Sequence, residues 1–132
     1  MMIAAVLVAC GPKRKDCDAL MGLLNEGITE LENSRQQQKN DPTKMVELRK
    51  LADLMENLAR RADELGISTP EVKALAQRYA VMGRDVAKSA REVADAQEKN
   101  DVSGVAAART KLNEVLNRED PIVDELNKFC SQ

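Results

Sequence analysis

The 132-residue chain contains no histidine and no tryptophan, and it has one Phe and one Tyr. Without histidine it lacks the commonest metal ligand, the usual general base and the residue that most often ligates haem in helical proteins. A Glu-x-x-His di-iron signature is therefore impossible, and so is a CxxCH haem attachment. No CxxC pair offers a redox motif or a zinc knuckle. There is no G-x-S-x-G elbow, no phosphate-cradling glycine loop and no Ser/His/Asp set. The net charge is −2, and no basic stripe is interleaved with aromatics, so nucleic acid is excluded as a partner class. These absences together predict a chain that is not an enzyme and carries no cofactor or metal.

What is present is aliphatic and charged. Apolar residues make up 43% and charged residues 32%, the profile of an ordered, helix-rich domain with an alanine-heavy core. The opening residues differ from all the rest: MMIAAVLVAC carries no charge, and GPKRK follows it. The run is far short of the roughly 20 apolar residues that span a bilayer, but it suits the apolar region of a secretory signal.

Leu7-Val8-Ala9-Cys10 resembles the lipobox of bacterial lipoproteins. That resemblance implies a diacylglycerol thioether on Cys10, removal of residues 1–9 and acylation of the new amino terminus. It also implies a cell-envelope location facing the periplasm or the cell surface. Gly11 stands where an Asp commonly marks inner-membrane retention, which favours the outer membrane. The segment 10–15 then reads as a lipidated tether, with Lys13, Arg14 and Lys15 placed to contact an anionic membrane surface. An ordinary solvated linker is the alternative for those three residues. A frayed apolar N-terminus on a cytosolic protein is the alternative for the run before them.

Three cysteines leave an odd one in any disulfide scheme. With lipid on Cys10, Cys17 and Cys130 remain, and an exported protein sits where disulfides persist. A bridge between them would close nearly the whole domain, which on chain-entropy grounds stabilises by about 5 kcal/mol. Two separate buried thiols are the alternative.

The rest of the chain, 16–131, shows four helical segments. The first carries Cys17, Leu20, Leu24, Gly27 and Leu31 on one stripe, and its Gly22 and Gly27 predict the close approach of a neighbour. Asp41 and Pro42 open the second helix as N-cap and first helical residue, and Gly66 ends it in the left-handed position. Thr69-Pro70 opens the third, with Ser68 and Glu71 offering an alternative capping box. A row of small residues (Ala76, Ala80, Gly83, Ala87, Ala90, Ala94) beside its apolar stripe suits tight helix packing. Tyr79 falls on the apolar stripe and reads as core. The fourth helix follows Asn100-Asp101, capped by Asp101 or Ser103, and Pro121 predicts a kink or a restart capped by Asp120.

Short connections predict an all-α, antiparallel up-down-up-down four-helix bundle, with its last helix kinked near Pro121. That topology brings Cys17 and Cys130 to one end. The function expected is a membrane-anchored scaffold that meets a protein partner through its distal loops or a polar helix face. A carrier holding an apolar ligand among Met21, Met45, Met55 and Met82 is a second reading. A cytosolic self-associating bundle is a third.

Overall fold

The computed structural model describes residues 11–40 and 45–132. Among these residues helix is the only regular structure, in five segments: α1 (Pro12–Asn40), α2 (Met45–Asp63), α3 (Pro70–Glu98), α4 (Val102–Leu116) and α5 (Glu119–Cys130). The expected caps Asp41 and Pro42 lie outside the described residues, as does the lipobox.

α3 is the central element and packs against each of the other four helices, most extensively against α2. Its expected apolar stripe is buried from Val72 to Val93, and so is every member of its small-residue row. The small row sets how closely α2 can approach. A Cβ built on Gly83 would lie 2.9 Å from the Met55 carbonyl oxygen and 3.1 Å from the Ala59 Cβ. One added methyl would push the two backbones apart. Leu20 and Leu24 of α1, Met55 and Leu58 of α2, Val115 of α4 and Ile122 and Leu126 of α5 complete a core around Tyr79 and Val86. Each such side chain contributes about 1.5–3 kcal/mol by leaving water.

Gly27 and Gly22 part company. A Cβ on Gly27 would overlap the Tyr79 hydroxyl, as a close approach requires, whereas one on Gly22 would meet nothing within 4 Å. Gly22 therefore has no packing reason in this fold.

The helix ends follow their local chemistry. Gly66 takes φ +65°, as expected, and Ile67 beyond it folds into the core. At the end of α3 a non-glycine residue, Asn100, takes φ 53°. Its N–H donates to Gln97 O at 3.1 Å, and the Asp101 N–H donates to Ala96 O at 2.9 Å, the two bonds of a Schellman ending. Asp101 then caps α4 by accepting the Gly104 N–H at 3.0 Å.

The restart expected in the last helix occurs, but the chain breaks at Asn117-Arg118 rather than at Pro121. Arg118, not Asp120, occupies the N-cap of α5. Pro121 is the third residue of α5, inside the first turn, where a missing N–H breaks no intrahelical bond. α3 opens at Thr69 and Pro70 as expected, and the alternative capping box of Ser68 and Glu71 does not form: Thr69 is the N-cap, and its side chain makes no cap hydrogen bond. That hydroxyl is committed elsewhere.

Candidate functional site

The residues singled out from the sequence gather at one end, where α1 and α3 begin and α5 finishes. Cys17 is buried on α1, Cys130 is half-buried in the last turn of α5, and the two are joined with Cα atoms 6.1 Å apart across 113 positions. Cys10 lies outside the described residues.

The three basic residues are not a linker. α1 begins at Pro12, so Lys13, Arg14 and Lys15 ride on its first turn. Their side chains diverge. Lys13 turns inward, with Nζ 4.5 Å from the centre of the Phe129 ring and donating to Gln132 O at 3.0 Å. This cation–π contact and hydrogen bond reinforce the α1–α5 junction beside the disulfide. Arg14 and Lys15 are exposed.

Asp16, between these cations and Cys17, was not singled out in the sequence. It is 7% exposed. Its Oδ2 accepts from Thr69 Oγ1 at 2.7 Å, Thr69 N at 2.8 Å, Ser68 N at 3.1 Å and Ser68 Oγ at 3.3 Å. Two backbone and two hydroxyl donors on one oxygen fasten the α2–α3 connection to the start of α1. The Thr69 hydrogen bonds, assisted by those of Ser68, outweigh burial and hold the Asp16 carboxyl below the usual aspartate range. The sequence held one signal for it. Residues 16, 20, 23 and 27 share the buried helical face, and a carboxylate in that register needs a partner.

Higher up, Arg61 of α2 donates to both carboxylate oxygens of Glu26 on α1, at 2.8 and 3.0 Å. Those bonds lower the Glu26 pKa. Tyr79 lies wholly buried near this pair, and its hydroxyl has no hydrogen-bond partner. Burial, with the charges of Glu119 and Glu26, raises its pKa, so the phenol stays protonated and serves as core.

A groove of about 570 Å³ runs between α3 and α5, with Val81 half-exposed on its rim and Met82 and Ile122 at its floor. The ion pairs Arg78–Glu125 and Arg118–Asp85 cross from one helix to the other on either side of it. Among the described residues no group of three or more His, Cys, Asp or Glu could hold a metal ion. No described helix is long and apolar enough to cross a membrane.

Comparison with protein-family models, curated proteins and solved structures finds no match. The functional reading therefore rests on the residues themselves.

Proposed function

We propose that the chain is a lipid-anchored cell-envelope protein, acylated on Cys10, whose helices form a non-catalytic interaction scaffold. The observation that carries this reading is the pairing of cysteines. Cys17 and Cys130 are joined, so the one remaining cysteine is the one at the end of Leu7-Val8-Ala9-Cys10. A disulfide of this kind belongs to an oxidising compartment, where the lipobox would send the chain.

The proposed arrangement is antiparallel, up-down-up-down, with α4 and α5 together forming the last rod. Ion pairs between α2 and α3 support it, because their numbering runs in opposite senses. Arg49 reaches Asp95 and Glu98, Arg91 reaches Asp53 and Glu56, and Arg84 reaches Asp63. The membrane seat would be Arg14 and Lys15, while Lys13 serves the α1–α5 junction. Gly11, in place of an Asp, favours the outer membrane.

The scaffold role is favoured over a ligand carrier by the methionines. Met55 is fully buried in the core, and Met82 is all but buried at the floor of the α3–α5 groove, while the apolar Val81 faces solvent on its rim. Labelling with a clickable fatty acid in a lipoprotein-processing host tests the anchor. Wild type is expected to take up label and Cys10→Ala to take up none. Absence of label from wild type, or equal label on both, overturns the reading.

A further inference from the structure

The α3–α5 groove is framed by charges in a regular order. On α3, Arg78 stands three positions before Val81 and Asp85 three positions after Met82. On α5, Arg118 stands three positions before Pro121 and Glu125 three positions after Ile122. Arg78 pairs with Glu125 and Arg118 with Asp85, so the sign alternates around the four corners of an apolar floor. The two pairs lie about 10 Å apart along α3. Neither pair is sealed off, because the four side chains keep 43 to 55% of their surface exposed. Between them Val81, 54% exposed, and the exposed Pro121 leave apolar surface in water.

Alternating corners make this face complementary to itself. A second copy laid face to face on the first, about a two-fold axis through the groove centre, meets every arginine with a carboxylate. With the axis along the helices, Arg78 meets the partner's Glu125 and Arg118 meets the partner's Asp85. With the axis across them, Arg78 meets the partner's Asp85 and Arg118 meets the partner's Glu125. A partner of one sign would be repelled at two of the four corners.

We propose that the α3–α5 face is a homodimer interface, occupied by a second copy of this chain, with the two Val81 side chains leaving water together. This names a partner for the scaffold and rests on that reading for its purpose, although the contact itself needs no lipid. A patch this small makes a weak, reversible dimer.

Sedimentation equilibrium tests it on the full oxidised chain carrying Cys10→Ala, which removes both the lipid and any disulfide through Cys10. The mass should rise from one chain toward two as the concentration is raised through the micromolar range. Val81→Glu, at an exposed position, should weaken association by roughly tenfold or more. Arg78→Glu with Arg118→Glu makes all four corners negative, and Asp85→Lys with Glu125→Lys makes all four positive. Each of these variants alone should stay monomeric. An equimolar mixture of the two should associate at least as tightly as the parent chain, and less so as salt is added. A parent chain that is monomeric throughout overturns the proposal, and so does association unmoved by Val81→Glu. A mixture of the two folded charge variants that associates no better than either alone overturns it as well. Should a charge variant lose its helix content, the parent chain and Val81→Glu decide. Failure of fatty-acid labelling at Cys10 would leave these results standing, so the anchor and the dimer fail separately.

Discussion

The Thr69 hydroxyl donates to Asp16 Oδ2 at 2.7 Å, joining residues 53 positions apart. The same oxygen takes the Thr69 N–H at 2.8 Å, so one carboxylate fixes both the rotamer and the backbone of the residue that starts α3. Thr69 would otherwise be free to cap its own helix. The fold uses it to tie that helix to α1.

This tie makes stability depend on pH in a defined direction. The folded-state pKa of Asp16 is depressed, below an unfolded value of about 3.9. A depressed carboxylate contributes stability that is complete above the unfolded pKa and is lost as pH falls through the folded pKa. Asp16→Asn should therefore lower the urea midpoint at pH 7, and the gap to wild type should narrow as the buffer is taken below about pH 4. A gap that is constant with pH would show that Asp16 acts through shape alone. Thr69→Val, which removes one of the four donors, should cost less than Asp16→Asn.

The two glycines that separate in the fold separate in energy too. Gly83→Ala places a methyl 2.9 Å from the Met55 carbonyl oxygen and 3.1 Å from the Ala59 Cβ, both on α2, the helix that packs most extensively against α3. A cost of about 1–3 kcal/mol is expected from overpacking. Gly22→Ala meets nothing and should stabilise by about 0.5–1 kcal/mol, because alanine restricts the unfolded chain and favours helix. Thermal unfolding of the two variants beside wild type checks this pair. Equal destabilisation by both would remove the close-approach account of Gly83.

The helix period made most of the core legible, because Leu20, Leu24, Leu58, Val86 and Leu126 recur on apolar stripes and are buried there. The cysteine pair was legible from parity and loop lengths. Other features were not, for physical reasons. The break at Asn117-Arg118 carries no glycine or proline, and both residues keep right-handed helical angles, so nothing local marks it. Pro121 is the visible breaker, yet it is harmless in a first turn. The Asp16 anchor depends on donors 52 and 53 positions away, which no local pattern reveals. Lys13 read as one of three equivalent cations, and only the nearness of Phe129 distinguishes it.

The disulfide should carry a large share of stability. It closes 113 positions, and removing it by Cys17→Ser is expected to cost up to about 5 kcal/mol on chain-entropy grounds. A reductant should lower the melting temperature of wild type toward that of Cys17→Ser and leave Cys17→Ser with Cys130→Ser unmoved. Lys13 and Phe129 would then hold α5 without a covalent partner, so Phe129→Ala should be more damaging in the reduced chain than in the oxidised one. Equal damage in both states would mean that the ring contact does not support the junction.

The last prediction concerns how the molecule stands on a membrane, and it depends on one continuous helix. Glu71 lies in the first turn of α3 and Asn100 just past its end, so at 1.5 Å per residue they are about 43 Å apart. Asp16 holds the start of α3 against the start of α1, six residues after Cys10. Lipid on Cys10 would therefore place Glu71 near the bilayer and Asn100 far from it, provided the helices stand upright. Spin labels at Glu71 and Asn100 are both on exposed positions and disturb none of the Asp16 contacts. With the acylated protein on liposomes, a relaxation agent confined to the bilayer surface should act strongly on the label at 71 and weakly on that at 100. Adding salt should leave this difference in place if the lipid sets the orientation, and should reduce it if Arg14 and Lys15 hold the end to anionic headgroups. Equal relaxation at both positions would mean that the helices lie along the surface. In that case the α4 end would not be offered to a partner, and the upright scaffold would have to be given up.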